Sequence, residues 1–405
     1  MHRMIVCILI LSLCLCACTQ AQIQAPTYPE VPLPTQPQVT LPSESFPSWG
    51  SVDPVPFPPA SEVSYEPESE DPVTVLLQAM TLEEKVGQLF LARCPDEGAI
   101  PDLQTYHLGG YVLFGRDFAG QTPESLAATL AAYQAAASIP MLITVDEEGG
   151  TVTRVSSYRA FRASRFPSPR ALYAQGGLSL LLNTEAEKCA LLSALGIHVN
   201  LAPVCDITTD SRSFMYSRSL GLAPDDTAQV ISAMVSCMAD NGIGSVLKHF
   251  PGYGNNTDTH TGIAIDRRPL EVLEHADLLP FAAGIEAGCS AIMVSHTFVT
   301  AFDSAFPASL SAPVHRYLRN AMSFRGVIVT DDLAMDAITD LYGPEEAAVL
   351  AVLAGNDLLC SSEYALQYPA VLEAVRSGRI PQTMLDSAVA RVLQWKLDLG
   401  LFKSN

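Results

Sequence analysis

Positive charges and long hydrophobic runs are scarce in this sequence of 405 residues. It has 23 Lys and Arg residues against 43 Asp and Glu residues, which gives a formal net charge of −20. Such a polyanion is not expected to bind nucleic acid or to lie on an anionic membrane surface. The apolar run of residues 4–15 is too short to span a bilayer, which takes about 20 residues. With 48% hydrophobic residues, the chain still has ample material for a folded core.

Motifs that bind metals or cofactors are also absent from the sequence. The six cysteines beyond residue 18 are far apart, and their spacing fits neither a metal site nor a small disulfide scaffold. They are Cys94, Cys189, Cys205, Cys237, Cys289 and Cys360. No phosphate-binding glycine loop and no nucleotide-binding fingerprint is present. We therefore predict buried free thiols and a protein that works without a metal or a cofactor.

The first 17 residues are typical of a signal peptide, with a basic start followed by the apolar run. The small residue Ala17 precedes Cys18, and this arrangement resembles the signal of bacterial lipoproteins, in which the cysteine is acylated and becomes the mature N-terminus. We therefore predict that Cys18 carries lipid and anchors the protein to the cell membrane outside the cytoplasm. Cleavage of an ordinary secretory peptide near this position is the alternative.

Residues 18–72 have the composition of a linker. Thirteen of the 29 prolines lie between Pro26 and Pro72, and residues 19–72 contain eight acidic residues and no Lys or Arg. A stretch of this kind cannot bury enough apolar surface to offset the entropy lost on ordering. We predict a disordered tether that holds a folded domain, residues 73–405, away from the membrane.

From residue 81 onward, short apolar runs alternate with helical patterns, as in parallel β/α units. The runs predicted as strands are Leu89–Arg93, Gly110–Phe114, Met141–Val145, His198–Pro203, Gly244–Lys248, Ala291–Ser295, Gly326–Thr330 and Asp357–Cys360. The main predicted helices are Pro123–Ala137, Thr184–Leu195, Asp225–Asn241, Leu270–Ala287, Pro344–Ala354 and Gln382–Leu399. Eight units in about 330 residues predict an α/β fold with a single TIM-type (β/α)8 barrel. A doubly wound open sheet is the alternative.

Polar and charged residues follow these apolar runs at the same end. They are Arg93, Arg116, Asp146, Glu147, Glu148, Asp206, Lys248, His249, His296, Asp331 and Asp332. A barrel carries its chemistry at the C-terminal ends of its strands. A recurrence in phase with the strands therefore predicts an active site at this end, although any one of these residues alone could be a solvated loop charge.

The most specific motif is KHFPGYG at residues 248–254, followed by Asp258-Thr259-His260. It resembles the KHFPGHG block and the following Asp-Ser-His or Asp-Thr-His triplet of family 3 glycoside hydrolases, within them the β-N-acetylhexosaminidases. The resemblance covers nearly all of residues 75–400, through the segments MTLEEKVGQL, GGYVLFGRD, VDEEGGTVTR, LAPVCD, SRSLG, PASLS and GVIVTDDLAM.

The resemblance implies a role for each matching residue. Asp331 matches the nucleophile, and we expect only one of the neighbours Asp331 and Asp332 to face the cavity. His260 matches the proton donor and Asp258 its partner; an imidazole suits this role because its pKa is near neutrality. The residues that match those gripping the sugar hydroxyls are Asp146, Arg154, Arg218, Lys248 and His249.

The predicted function is a retaining exo-β-N-acetylglucosaminidase, expected to act as a monomer on GlcNAc-containing cell-wall fragments. A glycoside phosphorylase of the same fold and an inactive sugar-binding lipoprotein are the alternatives. Three residues depart from the family pattern: Tyr253 replaces a His, Glu147 replaces a frequent Gln and Thr151 replaces a frequent Arg. These departures put the local hydrogen bonding and the leaving-group site in question, but they do not affect the predicted nucleophile or the pair Asp258 and His260.

Overall fold

The computed structural model describes residues 71–254 and 262–402 of the chain. Its strands are β1 (Phe90–Arg93), β2 (Gly110–Leu113), β3 (Leu142–Val145), β4 (Val199–Asn200), β5 (Gly244–Phe250), β6 (Ile265–Asp266), β7 (Ala291–Val294), β8 (Phe298–Val299), β9 (Val327–Thr330) and β10 (Leu359–Ser361). The predicted signal peptide, Cys18 and nearly all of the linker lie outside these residues.

The α-helices surround and cap the sheet. They are α1 (Pro72–Ala79), α2 (Leu82–Gln88), α3 (Ala99–Tyr106), α4 (Gly115–Phe118), α5 (Pro123–Ala136), α6 (Pro169–Ala194), α7 (Pro224–Asp240), α8 (Leu270–Glu274), α9 (Leu278–Glu286), α10 (Ala312–Arg316), α11 (Asp336–Tyr342), α12 (Pro344–Ala354), α13 (Tyr364–Arg376) and α14 (Gln382–Asp398). A 3₁₀ turn at Ala308–Leu310 and a π-helical turn at Tyr317–Ala321 complete the set. Within the described ranges, no helix has both the length and the apolar character needed to cross a membrane.

Eight parallel strands form one sheet in the order β10-β1-β2-β3-β4-β5-β7-β9. A parallel bridge between Val329 and Leu358 joins β9 to the segment leading into β10, so the sheet is a nearly closed barrel. The short strands β6 and β8 pair with each other outside it. The predicted barrel is therefore confirmed, and the doubly wound alternative is wrong.

Successive strand residues point alternately into the barrel and towards the helices. In β9, Val327 and Val329 pack inside the barrel with Leu91 of β1, whereas Ile328 packs outward against the helices. The barrel interior is a filled apolar core, so an open cavity has to lie at one of its ends. All six cysteines beyond residue 18 are free thiols; five are buried and Cys237 is half-buried.

The predicted strands agree with the observed barrel strands to within a few residues, but two of the predicted helices differ. The helix predicted from Thr184 begins at Pro169, where Ser168 caps it by accepting a hydrogen bond from the backbone N–H of Ala171. Gly176 and Gly177 kink this helix and interrupt its apolar pattern. The helix predicted over Leu270–Ala287 is two helices, α8 and α9.

Candidate active site

A cavity of about 550 Å³ opens at the C-terminal ends of the barrel strands. Six predicted site residues line it: Asp146, Arg154, Arg218, Lys248, His249 and Asp331. Arg93, Phe114, Glu148 and Asp332 line it as well. The structure thus brings together residues that are up to 269 positions apart in the sequence, from Arg93 to Ser362. The predicted Asp258 and His260 lie outside the described residues.

Four charged side chains form a cluster in this cavity; Lys248 and Glu148 are buried, and Asp146 and Arg218 are half-buried. The Lys248 ammonium lies 2.6 Å from Asp146 Oδ1 and 2.8 Å from Glu148 Oε1. Arg218 forms a bidentate pair with Glu148, with Nη2 at 2.7 Å from Oε1 and Nε at 2.9 Å from Oε2. Paired carboxylates and cations of this kind present both acceptors and donors to a ligand, as the hydroxyl edge of a sugar requires.

The electrostatics of the cluster keep its members ionised. Burial opposes the charge on Glu148, but the Lys248 ammonium and the Arg218 guanidinium outweigh burial and hold the pKa of this carboxyl well below its usual range. Burial likewise opposes the charge on Lys248, yet Asp146 and Glu148 raise the pKa of its ammonium. Glu148 and Lys248 therefore keep their charges throughout the neutral pH range.

His249 is held by Asp206, whose carboxylate Oδ2 lies 2.7 Å from His249 Nδ1. Asp206 also accepts hydrogen bonds from the backbone N–H groups of His249 and Tyr253. On the other side of the ring, Arg218 Nη2 lies 3.2 Å from His249 Nε2. Because a guanidinium can only donate, Nε2 is the acceptor and the proton of the neutral ring is on Nδ1. Asp206 thereby sets both the tautomer and the orientation of His249.

Tyr253, where the family pattern has a His, lies behind His249 and not in the cavity wall. Its side chain is 1% exposed, and its ring packs edge-on against His249 at 5.1 Å and Phe214 at 4.9 Å between centroids. The substitution therefore gives His249 an aromatic support, and the cavity lining is unchanged by it.

Asp331 and Asp332 follow directly after β9, and both border the cavity. Their side-chain hydrogen bonds differ. Asp332 Oδ1 accepts from the backbone N–H groups of Ala334 at 3.0 Å and Ser362 at 3.1 Å, and the Ser362 hydroxyl donates to Oδ2. Asp332 thus holds two loops together, which leaves Asp331 as the better candidate for a nucleophile.

Glu147, where relatives often carry Gln, is fully buried below the cavity. Its Oε2 accepts hydrogen bonds from the backbone N–H groups of Arg154 and Val155, both at 2.7 Å. The Ser156 hydroxyl donates to Oε1. This carboxylate shapes the loop that carries Arg154 and is therefore excluded as a proton donor to a substrate.

Three of the residues that line or support the site had no predicted role: Arg93, Glu148 and Asp206. All three stood in the row of polar residues at the strand ends, so the row itself was the signal that could have found them. Two other members of the row lie elsewhere. Both ring nitrogens of His296 are hydrogen-bonded to protein atoms, and Arg116 pairs with Asp96. In residues 71–254 and 262–402, no group of His, Cys, Asp and Glu side chains is arranged to hold a metal ion.

Comparison with known sequences points to one family. A family model described as "Glycosyl hydrolase family 3 N terminal domain" matches residues 81–395. The "Beta-hexosaminidase" of Xanthomonas axonopodis pv. citri (strain 306) is 36% identical over 303 residues, which cover 72% of this chain and 88% of that protein. The "Beta-hexosaminidase LpqI" of Mycobacterium tuberculosis is 31% identical over 331 residues, or 77% of this chain and 82% of that protein.

Solved structures give a consistent result. A glycoside hydrolase family 3 beta-N-acetylglucosaminidase from Paenibacillus sp. str. FPU-7 superposes with a TM-score of 0.74 and is 34% identical, over 80% of this chain and 63% of that one. A family 3 glycosyl hydrolase from Mycobacterium smegmatis superposes with a TM-score of 0.71 at 30% identity, over 79% of this chain and 98% of that one. The chain therefore spans 63% of the Paenibacillus protein and nearly all of the mycobacterial one.

Proposed function

We propose that this chain, which belongs to glycosyl hydrolase family 3, is a retaining exo-β-N-acetylglucosaminidase that removes terminal GlcNAc from cell-wall fragments. At the coarser level it is a glycoside hydrolase of the β-N-acetylhexosaminidase type. The observation that carries the finer proposal is the position of Asp331 in one cavity with the cluster of paired charges. A carboxylate nucleophile and a fixed grip on the sugar are what a retaining glycosidase needs.

The cluster grips the terminal sugar. Asp146 and Glu148 offer acceptors, and Lys248 and Arg218 offer donors, so adjacent hydroxyls of one pyranose can each find a partner. Because these side chains are already paired and oriented by one another, little entropy is lost when the sugar binds. The filled barrel core below the cavity supports exo-action, since the chain of a glycan cannot continue through it.

The reaction takes place in two displacements. In the first, an oxygen of Asp331 forms a bond to the anomeric carbon while the bond to the leaving oxygen breaks, and His260 gives its proton to that oxygen. In the second, water attacks the anomeric carbon, His260 takes the proton from the water, and Asp331 leaves as a carboxylate. Asp258 stabilises the charged imidazole that is present before the first displacement and again after the second; between the two displacements the imidazole is neutral.

Turnover of an aryl β-GlcNAc glycoside, with and without inorganic phosphate, tests the proposal. We expect hydrolysis that needs no phosphate, and NMR should show the β-anomer of GlcNAc as the first product. Inversion at the anomeric carbon would overturn the retaining mechanism. Formation of GlcNAc 1-phosphate would identify the phosphorylase alternative, and binding of GlcNAc without turnover would identify the inactive sugar-binding lipoprotein.

The roles of His260 and Asp258 are tested through the leaving group. A general acid matters more for poor leaving groups, so His260→Ala should slow unactivated glycosides far more than aryl glycosides of acidic phenols. Asp258→Ala should act in the same direction. If the dependence of the first-step rate on leaving-group pKa is equal in wild type and His260→Ala, His260 is not the proton donor.

The lipid anchor is a separate part of the proposal and rests on the sequence around Cys18. A Cys18→Ala variant should move from the membrane fraction to the soluble fraction of the cells, because it would lack the acylated cysteine. A conservative control is Cys16→Ala, which should stay with the membrane. Retention of the Cys18→Ala variant in the membrane fraction would contradict anchoring by lipid at this residue.

A further inference from the structure

Two arginines of the active-site cavity differ from the other half-buried arginines of the described chain. Six of those side chains form an ion pair: Arg116, Arg162, Arg218, Arg268, Arg319 and Arg391. A seventh, Arg170, donates hydrogen bonds to Thr208 and Ser219. Arg93 and Arg154 have no Asp or Glu oxygen within 4.0 Å among the described residues, although both line the cavity.

Both of these guanidinium groups lie against one aromatic ring. The guanidinium carbon of Arg93 is 4.5 Å from the centroid of Phe114, and that of Arg154 is 5.6 Å from it. The only hydrogen bond of the Arg154 guanidinium to the described residues is to the Thr153 carbonyl, at 3.3 Å. In the same part of the chain, the covered Nε of Arg93 has no hydrogen-bond partner. The aromatic ring of Phe114 holds the two guanidinium groups in place, but it supplies no negative charge to pair with them.

Two like charges in a half-buried wall are unfavourable unless an anion completes them. None of the five described carboxylates that line the cavity forms an ion pair with Arg93 or Arg154; they are Asp146, Glu148, Asp331, Asp332 and Asp336. The donors of Arg93 are therefore available to a ligand.

The position of this arginine pair also links it to the reaction. Arg93 ends β1 and Phe114 follows β2. The sheet order places these two strands between β3, which Asp146 follows, and β10, the neighbour of the strand that Asp331 follows. A group bound there is thus flanked by the sugar-binding cluster on one side and by the nucleophile on the other.

We propose that Arg93, Arg154 and Phe114 form an oxyanion subsite of the active-site cavity, which binds a carboxylate or phosphate group. The group comes either from the aglycone of the substrate, as a carboxylate, or from inorganic phosphate as an acceptor. The subsite rests on the proposed function because it is part of the same cavity. Arg93 is its specificity-determining residue, since Arg154 is also assigned to the terminal sugar.

A matched pair of aryl β-GlcNAc substrates tests the first source. The aglycone of one carries a carboxylate and that of the other the corresponding carboxamide. In wild type, kcat/KM should favour the carboxylate by about tenfold or more, the size expected for a hydrogen bond to a charged group. Arg93→Gln should bring the ratio close to one, because kcat/KM for the carboxylate falls more than kcat/KM for the carboxamide. Arg93→Lys, which keeps the charge, should retain part of the preference.

The control is Arg325→Gln, an exposed arginine at the opposite end of the barrel, which should leave the ratio unchanged. Circular dichroism and thermal unfolding establish that the variants are folded.

The second source is tested with inorganic phosphate on the carboxamide substrate. A phosphate oxygen would attack the anomeric carbon of the glycosyl–Asp331 intermediate, the bond to Asp331 would break, and GlcNAc 1-phosphate would form with a free Asp331 carboxylate. If phosphate is the source, ³¹P NMR should detect this product with wild type and about tenfold less with Arg93→Gln. A carboxylate preference without this product identifies the aglycone as the source.

Equal carboxylate-to-carboxamide ratios in wild type and Arg93→Gln, together with no GlcNAc 1-phosphate, would overturn the subsite. A failure of the proposed function is distinguishable, because wild type would then turn over neither substrate. In that case, titration calorimetry with inorganic phosphate and with acetate still tests the subsite. Binding to wild type that is weakened about tenfold in Arg93→Gln supports it, and equal affinity or no binding overturns it.

Discussion

The two ends of the barrel each bury a carboxylate between two cations. At the C-terminal ends of the strands, Glu148 lies between Lys248 and Arg218. At the opposite end, Asp357 lies 2.5 Å from Arg319 Nη2 and 2.8 Å from Arg391 Nε. Each end also has a cavity of similar size, about 550 Å³ at the first and about 520 Å³ at the second.

The difference is in what the paired charges face. Glu148 and both of its cations line their cavity together, so donors and acceptors converge on one space. Asp357 does not line the second cavity; it accepts a hydrogen bond from the backbone N–H of Ile328 and ties β9 to the π-helical turn and to α14. Neither cavity volume nor buried charge alone therefore marks the active site. The active site is identified by paired charges whose side chains all face the same cavity.

The largest effect is expected from a substitution at the C-terminal ends of the barrel strands, where Asp331 lies. Asp331→Asn should lower kcat/KM for an aryl β-GlcNAc glycoside by at least about a thousandfold, because no covalent intermediate can form. Its melting temperature should stay close to that of wild type. The matched variant Asp332→Asn should lose less activity and more stability, since Asp332 bonds the loop of Ser362. Retention of more than about a tenth of wild-type activity by Asp331→Asn would contradict its role.

Next in size is the loss of the buried carboxylate at the same end. Glu148→Gln leaves Lys248 and Arg218 without their shared counter-charge, so kcat/KM should fall roughly a hundredfold through misplaced sugar-binding donors. The free energy of unfolding should also fall, by about 3 kcal/mol. Steady-state kinetics and urea unfolding of the same preparation measure both. A variant that is destabilised but fully active would place Glu148 outside the sugar-binding machinery.

The equivalent change at the other end should affect stability only. Asp357→Asn removes the charge that Arg319 and Arg391 share, and we expect the free energy of unfolding to fall by about 3 kcal/mol, as for Glu148→Gln. Activity per folded molecule should stay within about twofold of wild type, because this cluster is remote from the substrate. Urea unfolding and activity below the unfolding transition measure the two quantities. A large loss of kcat would show that the two ends are coupled.

The smallest expected effect concerns Lys396, buried near the second end with Gln88 Oε1 as its hydrogen-bond acceptor. Burial lowers the pKa of its ammonium to about 7. Between pH 7 and 10 the unfolded chain therefore binds more protons, and this lysine makes wild-type stability rise by up to roughly 1.4 kcal/mol per pH unit. Lys396→Met lacks this contribution. The free energy of unfolding of the variant minus that of wild type should therefore be greatest near pH 7 and decrease as the pH rises.

Urea unfolding at pH 6.5, 8 and 9.5 measures this dependence. The control is Gln394→Met on the exposed side of the same helix, whose stability difference from wild type should not change with pH. A stability difference for Lys396→Met that is constant over this range would show that the lysine is charged in the folded protein throughout.

The barrel could be predicted because each strand carries its own local pattern. Runs such as Gly326–Thr330 are β-branched and apolar on both faces, as the interior strands of a parallel barrel require. The short strands β6 and β8 had no such pattern, since only two residues of each pair. The break between α8 and α9 was missed for a different reason. It involves Asp277, which pairs with Arg268 on a neighbouring loop, and a contact of that kind leaves no periodic trace in the sequence.

For the site, the sequence predicted which residues lie together in the cavity but not which of them form ion pairs with each other. Six predicted residues line one cavity. Four of them belong to the row of polar residues at the strand ends, whereas Arg154 and Arg218 were predicted from the family resemblance. That Glu148 is the partner of both Lys248 and Arg218 follows from their three-dimensional positions, and the adjacent acids Glu147 and Glu148 look equivalent in the sequence. In the fold, one binds backbone N–H groups and the other binds cations. The assignments of Asp258, His260 and Cys18 stay predictions.

The burial of the cysteines has a consequence for chemical labelling. Burial raises the pKa of the Cys94 and Cys289 thiols to about 12, and it raises those of Cys189, Cys205 and Cys360 as well. Since the thiolate is the form that reacts with alkylating reagents, these five thiols should react much more slowly in the folded protein than after the barrel opens. The rate at which a maleimide modifies these five thiols therefore measures how often the barrel opens, without any introduced label.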